Sequence, residues 1–200
     1  MLMADSFRTI TAPAEGYLRE KMSKFHAFAL PVKSADEAKA NIAAYQKKFY
    51  DARHVCWAYM LGVDRNEFLS SDNGEPSGTA GKPILGQINS FNLTDILILV
   101  VRYYGGITLG TSGLIAAYRE AARLAIENAE IVERRQCGTI DFVFPYLAMN
   151  QVMKLAKSGI ADIVSQSFNN TCSMTLSAPC DELEALRKRL EDIDGVSITT

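Results

Sequence analysis

Hydrophobic residues recur at helical spacing along residues 34–50. Ser34 and Glu37 form a capping box, the arrangement in which a serine side chain and a glutamate three residues later bond each other's backbone amides. The apolar face consists of Ala38, Ile42, Tyr45 and Phe49. This pattern predicts an amphipathic helix, and the lysines on its other side are interpreted as a solvated face.

Two later segments are apolar at almost every position. Residues 54–62 are rich in aromatic and aliphatic side chains and predict a strand, whereas residues 95–104 predict a central strand covered on both faces or lying at a domain junction. A long helix follows, with a single apolar stripe formed by Leu114, Tyr118, Ala122, Ala125 and Ala129. Residues 131–144 predict a further extended segment.

The composition shifts near Gly138, and the pattern of elements changes with it. The predicted order is strand 139–144, helix 147–157, strand 160–168, a turn at Asn169-Asn170, strand 171–178, a leucine-faced helix and a last strand at 196–198. This βαββαβ order matches a ferredoxin-like unit. We therefore expect an α/β (α+β) protein with one domain over residues 1–137 and a second over residues 138–200.

Composition narrows the function classes. A net charge of −2 argues against a protein that coats nucleic acid through bulk charge, so any polyanion contact must be local. Four cysteines without CxxC spacing and two histidines argue against a structural zinc site. The start of the chain lacks the pattern of a signal peptide, and the apolar run 96–101 is too short to cross a bilayer, so we expect a cytoplasmic protein without membrane contact.

Two glycine-rich turns are the most informative chemical feature. Residues 100–114 run from an apolar strand into a turn and then a helix, and a second turn spans residues 72–83. The first contains Gly105, Gly106, Gly110 and Gly113, and the second contains Gly74, Gly78 and Gly81. Glycine lets backbone amides approach a ligand, and the start of a helix presents unpaired donors, so both turns are candidate anion-binding loops.

Neither turn is a standard nucleotide motif. The glycine spacing of residues 105–113 does not fit GxGxxG. A Walker A loop needs a glycine five positions before its Gly-Lys pair and serine or threonine after it, and Pro76 and Pro83 occupy those places here. Ordinary nucleotide hydrolysis is therefore disfavoured.

Side chains around the turns permit two interpretations. If both helix starts face one cleft, with Thr79 capping the earlier helix and Thr111 or Ser112 the later one, Lys82 and Arg102 would make that cleft selective for phosphate or carboxylate. Alternatively, the glycines only permit tight turns.

The acidic residues of the earlier turn leave further alternatives open. Arg102 would form a salt bridge to Asp72 or Glu75 if the turns are purely structural. The same two carboxylates, three residues apart, are also candidates for holding magnesium beside a phosphate, although a turn-forming Asp-Asn-Gly explains Asp72 equally well. A metal is not part of the preferred interpretation.

Aromatic and histidine side chains add candidate chemistry. His54 is either a general base or a histidine satisfied by packing and a hydrogen bond. Tyr103 and Tyr104 are candidates for stacking on a nucleobase, although strand alternation should turn one of them inward.

Four strings of the sequence closely resemble the YigZ/IMPACT family. They are KMSKF at 21–25, DARHVCWA at 51–58, SDNGEPSGTAGKPIL at 71–85 and VVRYYGGITLGTSGLIAAY at 100–118. The resemblance implies a first domain that is a two-layer sandwich like the second domain of a ribosomal small-subunit protein and of RNase PH. It also implies a ferredoxin-like second domain, a connection with translational control and, for bacterial members, nucleic-acid binding.

Two positions at the end of the first turn, residues 100–114, and the start of its helix depart from the family. Bacterial relatives commonly carry a basic residue where this chain has Ala116, and Ser112 stands where glycine is common. The missing positive charge weakens the nucleic-acid interpretation, while the rest of the loop is intact.

The sequence thus favours a non-catalytic, translation-associated regulator that binds RNA or a ribosome-associated partner through an anion-binding cleft, with no cofactor. The alternatives are a magnesium-dependent enzyme acting on a small phosphorylated or nucleotide-like ligand and a pure protein-interaction module. The predicted contact residues are Lys21, Ser23, Gly78, Thr79, Gly81, Lys82, Arg102, Tyr103, Tyr104, Gly105, Gly106, Gly110, Thr111 and Gly113, of which Lys21 and Ser23 rest on the resemblance alone.

Overall fold

The computed structural model describes residues 6–169 and 171–199. It divides them into two compact units, residues 7–134 and the part of the chain from residue 135 onward. The described residues form a mixed α/β structure with antiparallel sheets and five α-helices, none of which is long and apolar enough to cross a membrane.

The first unit contains most of the elements. Its strands are β1 (Ser6–Ile10), β2 (Ala14–Glu20), β3 (Ser23–Pro31), β4 (His54–Leu61), β5 (Glu67–Ser71), β6 (Ile96–Tyr103) and β7 (Ile131–Arg135), and its helices are α1 (Ala35–Lys48), α2 (Gly81–Ser90) and α3 (Gly110–Glu127). Strands β2 to β6 form one antiparallel sheet in the order β2-β3-β6-β4-β5, and β1 pairs with β7.

Strand β6 is the centre of this sheet and explains the continuous apolar run. Side chains alternate across a strand, so Ile96, Ile98 and Val100 pack on the side of α2 and α3, while Leu97, Leu99 and Val101 pack on the side of α1. All six are fully buried. The prediction of a central strand covered on both faces is confirmed.

Helix α1 forms for the reason that its sequence indicates. The Ser34 side chain accepts a hydrogen bond from the Glu37 amide, and the Glu37 carboxylate accepts one from the Lys33 amide. Ala38 and Ile42 are buried against the sheet. The capping side chain satisfies amides that the first turn leaves unpaired.

The second unit has the strands β8 (Cys137–Phe144), β9 (Asp162–Phe168), β10 (Cys172–Pro179) and β11 (Ser197–Ile198), a short 3-10 helix (Tyr146–Ala148) and the helices α4 (Met149–Ala156) and α5 (Cys180–Glu191). The sheet order is β11-β8-β10-β9, and all its pairs are antiparallel. Asn169 follows β9 as predicted, whereas Asn170 lies outside the described residues.

The sequence analysis did not assign four strands of the first unit. Strands β1, β2, β3 and β5 are short or mix polar and apolar residues, and β2 and β5 lie at the two edges of the sheet. An edge strand has only one neighbour, so its sequence need not be apolar. The predicted extended segment 131–144 is two separate strands, β7 and β8, rather than one.

Candidate functional site

A pocket of about 510 Å³ opens in the first unit where β6 ends and α3 begins. It is lined by Arg53, His54, Glu75, Pro76, Arg102, Tyr104, Thr108, Leu109, Gly110, Thr111 and Leu114. Its size lies within the range of small-molecule sites. Three of the lining residues are basic or can become so, and one is acidic.

A buried ion pair belongs to the lining of this pocket. Arg102 Nη1 lies 2.6 Å from Glu75 Oε1, and the two side chains are 7% and 3% exposed. The hydroxyl of Tyr118 donates a second hydrogen bond to the same oxygen at 2.8 Å. Because burial of a charge is costly without partners, this pairing is what permits a carboxylate and a guanidinium at this depth.

Arg102 keeps hydrogen-bonding capacity beyond its ion pair. Its guanidinium carbon lies 5.6 Å from the centre of the Phe25 ring and 5.5 Å from that of Tyr104. Nη2 reaches Ser23 Oγ only at 3.5 Å, and Nε is buried with no hydrogen-bond partner in the described part of the chain. A buried donor without a partner is costly, so it marks a place where a ligand acceptor would be stabilising.

His54 enters the pocket with its ring orientation fixed. Its Nδ1 lies 2.9 Å from the carbonyl oxygen of Asn73. A carbonyl only accepts, so Nδ1 carries the hydrogen, and Nε2 is left on the side of Glu75, with Oε1 at 3.8 Å. Both interpretations of His54 remain compatible with this geometry, since the ring is held by a hydrogen bond and its second nitrogen lies beside the pocket.

Two further ionisable groups lie behind Glu75. Burial, together with the nearby carboxylates, raises the pKa of the Cys56 thiol to about 12. The pKa of Tyr118 is raised as well, chiefly by burial and then by Cys56 and Glu75. Both groups are therefore neutral at pH 7 and serve as hydrogen-bond donors: Tyr118 donates to Glu75, and the thiol donates to the carbonyl of Asp72 at 2.9 Å.

The earlier glycine turn binds an anion that the chain itself supplies. The carboxylate of Asp72 accepts hydrogen bonds from the amides of Gly78, Ala80 and Gly81 at 2.7 to 2.9 Å. Burial opposes the charged form, but these three bonds outweigh it and hold the pKa of Asp72 below its usual value. The amides of Gly78 and Gly81 are therefore not open to an external anion, which corrects the expectation that they contact a ligand.

The threonine caps that the sequence predicts are absent from the described residues. The Thr79 hydroxyl donates a hydrogen bond to the Pro76 carbonyl instead of capping α2. The cap of α2 is the side chain of Asp72, which lies nine residues before the first residue of the helix. Helix α3 begins at Gly110, one residue before Thr111, and no side chain in residues 6–169 or 171–199 caps it. The Asp72 carboxylate therefore binds the amides of Ala80 and Gly81 at the start of α2 in place of the expected threonine.

The glycines of the later turn, residues 100–114, are required for two different structural reasons. The amide of Gly105 donates to Ser23 Oγ at 3.2 Å, and a side chain on Gly105 would collide with the backbone of Met22 at 2.1 Å. Gly106 and Gly110 have positive φ angles of 85° and 69°, and nothing lies within 4 Å of a Cβ built on either. Gly105 is therefore needed for close packing, whereas Gly106 and Gly110 are needed for backbone conformation.

The remaining predicted contacts are distributed around the pocket rather than within it. Lys82 lines a separate cavity of about 410 Å³, together with Arg119. Lys21 is exposed in the turn between β2 and β3, and Tyr103 turns away to donate a hydrogen bond to Asp51. Gly113 packs close to Leu109, where an added Cβ would lie 3.1 Å from that side chain.

No metal cluster is arranged within the described residues, in which no group of three or more His, Cys, Asp or Glu side chains converges. The two carboxylates considered for magnesium already have partners. Asp72 is bound by amides and Glu75 by Arg102 and Tyr118.

Two residues of the site, Arg53 in the pocket lining and Tyr118 behind Glu75, are not recognisable as such from the sequence. A tyrosine among alanines and leucines gives no signal of a buried polar partner, because the partner lies 43 residues away. The signal available for Arg53 was its position directly before the singled-out His54.

Comparison with known proteins identifies the family. The Impact N-terminal domain matches residues 21–126. The chain belongs to the IMPACT family. Every residue that lines the 510 Å³ pocket lies within the matched segment, between Arg53 and Leu114.

Relatives match almost the full length of the chain. An IMPACT family member from Haemophilus influenzae is 34% identical over 86% of this chain and 84% of its own length. The IMPACT family member YigZ from Escherichia coli is 28% identical over 97% of this chain and 96% of its own. The chain is also similar to a hypothetical protein of known crystal structure, with a TM-score of 0.76, 26% identity and 98% coverage of both chains.

Proposed function

We propose that this IMPACT family protein is a non-catalytic, translation-associated regulator that binds RNA through the pocket at the start of α3. The observation that carries the proposal is the convergence of two anion-binding features in one pocket. They are the deeply buried Arg102, with a donor left over, and the uncapped first turn of α3. Family membership supports the connection with translation, which the sequence resemblance implies.

The electrostatic balance of the pocket favours an anionic guest. Glu75 neutralises Arg102, which leaves Arg53 and the positive end of an 18-residue helix in the lining of the pocket. The cleft offers fewer backbone amides than the sequence predicts, because Asp72 already binds those of Gly78 and Gly81 in the earlier turn. The earlier turn holds the pocket wall in place through Asp72.

Tyr104 supplies the surface for a base. The residue is 50% exposed, whereas Tyr103 is half-buried and hydrogen-bonded to Asp51. Arg102 lies on the Tyr104 ring at 5.5 Å and holds it beside the pocket. An exposed tyrosine next to cationic groups is a common arrangement for binding single-stranded nucleic acid.

We also infer the finer fold assignments. The strand order β11-β8-β10-β9, together with the alternation of strands and helices from β8 to β11, supports a ferredoxin-like second domain. In the first unit, α2 and α3 pack on one face of the five-stranded sheet and α1 packs on the other. That arrangement has three layers, one more than the two-layer sandwich that the family resemblance implies.

Titration of RNA at several salt concentrations tests the proposal. Each phosphate contact that is lost lowers the slope of log affinity against log salt by about one unit. Arg53→Ala removes an exposed cation from the pocket lining, and we expect that decrease together with weaker binding. Lys39→Ala removes another exposed cation, on α1 and outside the pocket lining, and serves as the control.

Two outcomes contradict the proposal. RNA binding that is insensitive to salt excludes phosphate contacts altogether. An Arg53→Ala protein that matches the Lys39→Ala protein in affinity and slope shows that RNA binds elsewhere. Stabilisation by nucleotide only in the presence of magnesium favours the enzyme alternative, and capture of a protein that survives nuclease and pocket substitutions favours the interaction module.

A further inference from the structure

The depth of Arg102 restricts what can reach it. The residue is 5% exposed, and its ion-pair partner Glu75 is 9% exposed. A phosphodiester inside an RNA strand carries a nucleotide on each side, so it can contact only groups near the surface of a protein. A phosphomonoester at the end of a strand is a single protruding group with nothing beyond it, and it can enter a pocket towards a buried guanidinium.

The donors of the pocket fit such a terminal group. The Nε hydrogen of Arg102 has no partner in the described residues. The amides of Gly110 and Thr111 lie in the first turn of α3, where no intrahelical acceptor exists. Arg53 lies on the exposed side of the same pocket. These residues all line the same pocket, and a phosphomonoester offers more charge and more acceptor oxygens to them than a phosphodiester.

The rest of the lining fits a nucleoside. Pro76, Leu109 and Leu114 give the pocket a mainly apolar wall, and the half-exposed Tyr104 ring lies beside it. A phosphorylated peptide would present a flexible backbone to this wall. A terminal nucleotide would present a flat base and a sugar, which gain more from contact with an aromatic ring and aliphatic side chains.

We propose that the pocket binds the phosphorylated end of an RNA strand, with the terminal phosphomonoester at Arg102 and the start of α3 and the terminal nucleotide against the apolar wall. This inference rests on the proposed function, since it takes RNA to be the ligand. It specifies which part of the RNA the pocket recognises.

The test compares RNAs of one sequence that differ only at their ends. Strands with a 5′ phosphate, a 3′ phosphate or two hydroxyl ends compete with an internally labelled RNA for the full-length protein. A phosphoserine peptide and inorganic phosphate are run alongside. We expect one of the phosphorylated strands to bind about tenfold tighter than the hydroxyl strand, and the two phosphorylated strands identify which end is read.

A pair of substitutions on α3 localises the effect without endangering the fold. Thr111→Asp places a carboxylate in the pocket lining at an exposed position of the first helical turn, where a negative charge stabilises the helix. Ser112→Asp makes the same change at the next exposed residue, which does not line the pocket. We expect Thr111→Asp to abolish the preference for a phosphorylated end and Ser112→Asp to retain it.

The outcomes separate this inference from the proposed function. Salt-dependent binding that is equal for all ends, or an end preference that survives Thr111→Asp, overturns the inference and leaves RNA binding intact. Absence of binding by every RNA overturns both. Tight binding of the phosphoserine peptide without any preference among the RNAs overturns the inference in favour of a phosphorylated protein ligand.

Discussion

The guanidinium of Arg102 and the carboxylate of Glu75 meet at 2.6 Å although they come from a central strand and from a glycine-rich turn. Removing one member leaves the other buried without its counter-charge, so we expect Arg102→Ala or Glu75→Ala to lower the free energy of unfolding by about 3–5 kcal/mol each. The double variant should lose less than the sum of the two. Urea denaturation of the four proteins measures this coupling, and additive losses would contradict a direct interaction.

Asp72 makes stability depend on pH in a defined direction. Its pKa is lower in the folded protein than in the unfolded chain, so its contribution is present above the unfolded value of about 3.9 and is lost as the pH falls through the folded value. Asp72→Asn should cost about 1–3 kcal/mol at neutral pH, because the asparagine side chain has one acceptor oxygen and leaves at least one of the three backbone amides without an acceptor. Urea midpoints across the acid range should show this difference shrinking below about pH 4.

The matched control for that experiment is Asp64→Asn. Asp64 is exposed in the connection between β4 and β5, and the substitution removes the same charge. Its effect on the free energy of unfolding should be small. A constant difference between wild type and Asp72→Asn at every pH would show that the three amide bonds do not depend on the ionised carboxylate.

Two neighbouring glycines should respond differently to alanine. The Cβ of Gly105→Ala would lie 2.1 Å from the Met22 backbone, so we expect a loss of about 3 kcal/mol or local rearrangement. Gly106→Ala meets open space and carries only the cost of a positive φ, about 1–2 kcal/mol. Thermal or urea unfolding measures both, and a larger loss in Gly106→Ala would contradict the packing assigned to Gly105.

The cysteines should label in an order set by burial. Cys137 is exposed and Cys180 half-buried, whereas Cys56 and Cys172 are buried. Alkylation followed by peptide mass spectrometry should modify Cys137 first and Cys56 only when the protein opens. Because burial raises the pKa of Cys56 to about 12, raising the pH to about 9 should not convert its thiol to the thiolate. Early modification of Cys56 in the native protein would contradict the buried network around Tyr118.

The sequence reveals the elements whose residues act locally. The capping box of Ser34 and Glu37 involves groups three residues apart, and the apolar run of β6 requires burial on both faces wherever it lies. Glu75, the observed ion-pair partner of Arg102, is one of the two partners that the sequence allows. The capping box follows from a short-range rule, and the burial of β6 follows from the cost of exposing apolar surface.

What the sequence could not reveal is the allocation of hydrogen bonds between distant segments. Thr79 has the residue type and position of a helix cap, yet Asp72 displaced it because a turn bends the chain back on itself. Likewise, Lys82 and Arg102 are both cations beside glycine turns, but they line different cavities. Such allocations depend on three-dimensional proximity, which composition and periodicity do not encode.

The carboxylate of Asp72 acts as a resident occupant of the nest of amides at the start of α2. A sulfate or phosphate from solvent would have to displace the Asp72 carboxylate from these amides. Because the carboxylate is part of the same chain, its effective concentration at the amides is very high. The starts of α2 and α3 therefore differ. Asp72 occupies the amides at the start of α2, whereas those at the start of α3 are available to an ion. A crystal grown from a sulfate-rich solution should therefore show an ion at the start of α3 alone.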